Sequence, residues 1–208
     1  MSPKQRRDGP YIWVTWLKGL IVGGDSCEWA GWFKTHWQYY DKAPSDFDSV
    51  GWNMNHTRLL RDLRIEREQA GELVTIERQN RFTYRTESGV TIGGIPDLVG
   101  VPAEGSQGTI YDAKTGQERD SDKVQVMIYM YLLPMAHPDF EGKVLSGELV
   151  YRDARYKIPD SAIDDKFVDN LNFWIEVLAS DTSAKKVPSE MECRFCDIGQ
   201  SECPERMV

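Results

Sequence analysis

Hydrophobic positions along the chain fall into regimes of different period. Residues 11–22, YIWVTWLKGLIV, are apolar nearly throughout and close at Gly23 and Gly24, after which Asp25 or Ser26 is placed to cap a helix running through CEWAGWFKTHWQYY. The polar stretch DKAPSDFDSV ends it. In WNMNHTRLLRDLRIEREQA, Trp52, His56, Leu59, Leu60 and Leu63 recur at three and four residues, the spacing of one helix face, and Gly71 stops the pattern. His56 therefore belongs to the inward stripe. From residue 72 to 113 the period falls to two: LVTIERQ, RFTYRT, VTIGGIPDLVGV and GTIYDAK read as strands, separated by the turn formers ESG and PAEGSQG. DSDKVQVMIYMYLL predicts a helix bounded by Pro134, and LSGELVYRD a further strand. AIDDKFVDNLNFWIEVLAS predicts a long amphipathic helix with Ile163, Phe167, Leu171, Trp174 and Leu178 on one side. This order gives an α/β fold, a mixed sheet flanked by helices.

At 208 residues the chain is long enough to bury a full core and is expected to form a single domain. It has no run of 18 apolar residues, which excludes a spanning helix, and its basic start, MSPKQRRDGP, lacks the apolar stretch of a secretory signal. A cytoplasmic protein with no membrane partner is expected. The net charge of −8 weighs against broad wrapping of DNA, whose non-specific affinity comes from Lys and Arg neutralising phosphates. Charge is uneven, however: Lys4, Arg6, Arg7 and Lys18 lie near the start, and RLLRDLRIER carries Arg58, Arg61, Arg64 and Arg67. Seven Trp and nine Tyr add faces able to pack or to stack on bases.

The chemistry concentrates around YDAK. Side chains two apart on a strand project together, so Asp112 and Lys114 share a face. If the strand ending near Asp97 pairs with TIYDAK as a hairpin, the carboxylates of Asp97 and Asp112 converge on one cation. Carboxylates that close repel unless a metal or a proton is shared, and oxygen donors suit Mg2+ or Mn2+. Lys114 would then orient or deprotonate a water and face the phosphate. Taken alone, D-x-K reads more readily as a surface ion pair, and a single core histidine is more often structural than a ligand. Gln125 and Tyr129, at i and i+4, share one face of the next helix.

Four cysteines form a second group. Cys193 and Cys196 are separated by two residues, Cys196 and Cys203 by six, and Cys27 lies far upstream, so a four-thiolate site has to join the two ends of the chain. By spacing, zinc and an iron-sulfur cluster are equally compatible, and two disulfides are disfavoured in a reducing compartment.

GIPD, YDAK and QVMIY, preceded by the helical Asn55-His56, resemble the active-site motifs of the RecB-like branch of the PD-(D/E)XK nuclease superfamily. The resemblance implies a restriction-endonuclease-like core in which His56, Asp97, Asp112 and the backbone carbonyl of Ala113 hold the metal. Lys114 matches the catalytic lysine, and Gln125 and Tyr129 match the supporting element that positions DNA and active-site groups. One cysteine ahead of the core, then C-x-x-C and a last cysteine after it, resembles iron-sulfur members of that branch. In size the chain is similar to the CRISPR-associated exonuclease family, the fourth of the numbered Cas proteins, from about residue 12 to 204. That implies a [4Fe-4S] cluster on Cys27, Cys193, Cys196 and Cys203, a clasp formed by residues 1–50 and 181–208 around a nuclease core at 51–180. It also implies single-stranded DNA as substrate, degraded from an end, with CRISPR adaptation proteins as partners. Related nucleases include monomers and rings, and the sequence gives no direct sign of either. A flap or single-strand endonuclease and a non-catalytic iron-sulfur DNA-binding subunit are the competing readings.

Overall fold

The computed structural model describes residues 4–207. Short strands β1 (Gln5–Arg6) and β2 (Tyr11–Trp13) precede helices α1 (Val14–Ile21) and α2 (Glu28–His36), and β3 (Trp37–Gln38) follows. The N-cap of α2 is Cys27, not Asp25 or Ser26, and the helix stops at His36, where the chain turns extended instead of continuing through Tyr40. Helix α3 (Ser49–Gln69) starts where the Asp48 carboxylate accepts from the Gly51 N–H at 2.9 Å, and ends before Gly71, whose φ of +85° suits glycine. Strands β4 (Glu72–Ile76), β5 (Phe82–Arg85), β6 (Thr91–Gly94), β7 (Leu98–Pro102) and β8 (Gln107–Lys114) come next, then helix α4 (Asp120–Ala136), strands β9 (Val144–Tyr151) and β10 (Arg155–Ile158), and helices α5 (Asp165–Ala179) and α6 (Glu190–Arg194).

Three further expectations are corrected. VTIGGIPDLVGV is two strands, broken at Ile95–Asp97, so Asp97 leads into β7 instead of closing a strand. Pro134 lies inside α4, because proline in a last turn sacrifices one hydrogen bond and the ladder resumes with the His137 N–H donating to the Leu133 carbonyl. Trp52 and the start of α3 do not face a core: Trp52 is exposed, and Leu60 and Leu63 are the buried residues of that helix.

Contacts gather the chain into two units. One comprises Asp48–Tyr84 and Gly93–Val168; the other, the terminal unit, comprises the segment ending at Phe47, Arg85–Ile92 and the segment from Asp169 onward. In the first, a five-stranded mixed sheet has the order β10-β9-β8-β7-β4. Its β4-β7-β8 pairings and its β9-β10 pairing are antiparallel, and β8-β9 is parallel because α4 carries the chain across. Side chains alternate across this sheet. Leu60 and Leu63 of α3 pack with Leu98, Tyr111 and Val150 on one face. On the other, a Cβ at Gly147 would meet the Val126 and Met130 side chains of α4 at 2.4 and 3.0 Å, so glycine permits the close approach of α4. Asp112 and Lys114, alternating with Tyr111 and Ala113, project on the α4 face. In the terminal unit, α2 packs on α5: Trp32 donates to the Ser180 carbonyl at 2.7 Å, and Trp29, Phe33, Ile198 and Cys203 form a buried cluster. Among the described residues, no helix is long and apolar enough to cross a membrane.

Candidate active site

Asp97 stands one position beyond the register pair Leu98↔Tyr111, opposite Asp112. Two backbone anchors fix the turn that presents it. The buried Asn80 amide donates to the carbonyls of Thr75 and Pro96 at 3.1 and 3.2 Å, and the Glu77 N–H donates to the Asp97 carbonyl at 2.8 Å. Glu77 does so at φ +43°, a strained value for a non-glycine residue. The Asp97 carboxylate accepts from the Ala113 N–H at 2.8 Å, and His56 Nε2 lies 3.2 Å from Asp97 Oδ2. The indole of Trp52 stacks on the His56 ring at 4.9 Å and 14°.

Asp112, 1% exposed, is held by Lys114 Nζ at 2.5 Å and by the Gln125 side-chain amide, which donates to Oδ1 at 3.4 Å. Lys114 also donates to Gln125 Oε1 at 3.4 Å, and the Gln125 amide donates to the Tyr129 hydroxyl at 3.3 Å. All seven residues singled out in the sequence thus fall in one cluster of the first unit: His56, Asp97, Asp112, Ala113, Lys114, Gln125 and Tyr129. Sequence reasoning missed Asp122, which is buried, accepts from the Tyr151 hydroxyl at 2.9 Å and lies 3.9 Å from Lys114 Nζ. Its place three residues before Gln125 on α4 was the available signal.

Electrostatics narrow the chemistry. Burial opposes the charge of Lys114, and Asp112, Asp97 and Asp122 overcome it, holding the ammonium above the ordinary lysine range. As a cation, Lys114 is suited to orienting a water or offsetting negative charge. The bond to Asp97 raises His56 against its burial, with the Asp112 charge adding to the effect. Burial pushes the Tyr129 hydroxyl well up, so it stays neutral.

None of the four cysteines is in a disulfide, and all four line one cavity of about 30 Å³ in the terminal unit, beside Trp29 and Ile198. Glu192 carries the loop ahead of α2, accepting from the Ser26 and Cys27 N–H groups at 2.7 and 3.3 Å, and Arg206 donates to the carbonyls of Cys196 and Ile198. Burial raises the Cys196 thiol. Among the described residues, no group of three or more His, Cys, Asp or Glu side chains is arranged to hold a metal ion as it stands. By donor type, two carboxylates with an imidazole and a carbonyl would suit a hard divalent cation, and four thiols around one cavity would suit zinc or an iron-sulfur cluster.

A family model described as PD-(D/E)XK nuclease superfamily matches residues 28–203. The solved crystal structure of SSO0001 matches with a TM-score of 0.52 at 20% identity, over 98% of this chain and 90% of that one, a likeness of fold alone. No curated protein matches the sequence.

Proposed function

Because this chain belongs to the PD-(D/E)XK nuclease superfamily, we propose that it is a metal-dependent deoxyribonuclease that degrades single-stranded DNA from an end. The observation that carries this reading is the convergence of Asp97, Asp112 and Lys114 at the junction of β7 and β8, backed by Gln125 and Tyr129 of α4. His56, Asp97, Asp112 and the Ala113 carbonyl would hold Mg2+ or Mn2+. When bound, that ion supplies Lewis acidity and lowers the pKa of a coordinated water. The protein does the rest. Lys114, charged and half-sheltered between Asp112 and Gln125, orients the attacking water and offsets charge growing on the phosphate. Gln125 fixes both Lys114 and Asp112, and the neutral Tyr129 hydroxyl fixes Gln125. The Asn80 and Glu77 contacts hold Asp97 in register with Asp112.

The four cysteines are read as ligands of a [4Fe-4S] cluster in the terminal unit, supported by their sharing one cavity with no disulfide between them. Trimming of DNA before its capture as CRISPR spacers, with adaptation proteins as partners, is the biological role that the cysteine spacing and chain size support. The test is a Mn2+-dependence assay on end-labelled linear and covalently closed circular single strands. Loss of the linear form with the circle intact is expected. Cutting of circles would make the protein an endonuclease, and binding without cutting of either would make it a non-catalytic DNA-binding subunit.

A further inference from the structure

Three of the four arginines of α3 already have carboxylate partners. Arg61 pairs with Asp62, Arg64 with Glu68 and Arg67 with Glu66. They also ride on the helix that covers the sheet face opposite Asp112 and Lys114. The catalytic face carries a different feature. A cavity of about 610 Å³ opens where the outer strands β9 and β10 meet the start of α4, a size typical of small-molecule sites.

Register ties this cavity to the cluster. Asp112 pairs with Leu149, Lys114 with Tyr151, and Leu149 with Tyr156, so the cavity walls Leu149, Tyr151 and Tyr156 stand on the same face as the two candidate catalytic groups. Tyr151 belongs to both: it lines the cavity, and its hydroxyl donates to Asp122, which neighbours Lys114. Tyr156, 44% exposed, lies edge-on to Tyr151 at 6.0 Å, and its hydroxyl donates to Glu118 at 2.7 Å. An aromatic ring tethered at its tip and open to solvent is an ordered surface on which a base can stack. Arg119, Lys123 and Lys157 also line the cavity, are exposed, and outnumber its carboxylates, Glu118 and Asp120. In a chain of net charge −8, that local excess of one cation lowers the opposition a phosphate meets there.

We propose that this cavity is a nucleotide subsite next to the cleavage point, in which Arg119 and Lys123 meet a backbone phosphate of a single strand and Tyr156 stacks on its base. The inference rests on the nuclease reading and gives it a substrate path. Stacking on a lone ring requires an unstacked base, so the subsite selects single strands.

The test compares an oligothymidylate with methyl p-nitrophenyl phosphate, a diester with no base and no second phosphate for the subsite to hold, using Mn2+ for turnover and Ca2+ for binding by fluorescence anisotropy. Tyr156→Ala should lower kcat/KM on the oligonucleotide on the order of tenfold, while Tyr156→Phe keeps most of it. Arg119→Gln with Lys123→Gln should reduce the slope of log affinity against log salt by about one to two. All of these variants should hydrolyse the small diester as the wild type does. Unchanged oligonucleotide turnover and salt slope, or equal losses on both substrates, would overturn the subsite. If the wild type hydrolyses neither substrate, the nuclease reading fails separately. The subsite is then judged on binding: weaker oligothymidylate binding by the variants supports it, and unchanged binding overturns it.

Discussion

The cluster around Asp112 and the cavity around the four cysteines hold comparable numbers of metal-type donors, yet they are built in opposite ways. The first is set by regular structure. Adjacent strands put Asp97 opposite Asp112, the two-residue period puts Lys114 beside Asp112, and a helix covering that face delivers Gln125 and Tyr129. Each charged group there already has a protein partner. The second is set by a helix N-cap, a five-residue helix and irregular chain, which bring its four thiols to one cavity. A site assembled by backbone register is preorganised before any ligand arrives. A site assembled from loops draws part of its order from what it binds.

The largest effect that separates the two is on the chemistry. Lys114→Ala should lower cleavage by about 10²–10³-fold, the range for removal of one preorganised electrostatic group, and leave Mn2+ affinity near the wild-type value because Lys114 is not a ligand. Asp97→Ala or Asp112→Ala should weaken Mn2+ binding as well. Nuclease assays paired with calorimetry measure both quantities, and wild-type cleavage by the Lys114 variant would remove that residue from the site. Next in size is the cysteine cavity. Anaerobically purified protein should hold about four irons per chain, and Cys27→Ser should abolish that content and lower Tm on the order of 10 °C. The same substitution in iron-free protein should cost little, since order there comes from the ligand. Stoichiometric zinc without iron, or an equal Tm loss with and without iron, would collapse the contrast between the two regions.

The contrast also decides what sequence alone could reveal. Period-two patterning carried the convergence of Asp97 and Asp112, because strand geometry leaves little choice once two strands pair. It missed the break at Ile95–Asp97, where Gly94 fits against Phe82 and Tyr129 and Pro96 offers its carbonyl to Asn80. That is a tertiary fit with no local signature. Asp122 went unseen because its partner Tyr151 is set by a parallel pairing across α4, which a chain-order reading does not register. For the α3 arginines composition gives the cations and not their partners: Arg61, Arg64 and Arg67 pair with carboxylates one to four residues away. For the cysteines, spacing identified the group and the two chain ends, while Cys27 takes the N-cap although Asp25 and Ser26 are the preferred capping types.

The smallest expected effect sharpens the claim that the Asp112 cluster is ordered without its metal. His56 is raised by its bond to Asp97, so the protonated ring is favoured in the folded chain relative to the unfolded one, whose histidine titrates near 6.5. The stability it contributes is therefore complete below about pH 6.5 and is lost as pH rises through the higher folded value. Metal-free protein should show Tm falling over that window. A metal ligand must be neutral, so added Mn2+ should stabilise the protein more as pH rises across the same window, which opposes the metal-free slope. His56→Gln should flatten both dependences and leave cysteine-bound iron unchanged. Thermal melts across pH, with chelator or with Mn2+, separate these outcomes. A metal-free slope that survives in His56→Gln would assign the proton to another group and leave the His56–Asp97 pair with no part in the order of the cluster.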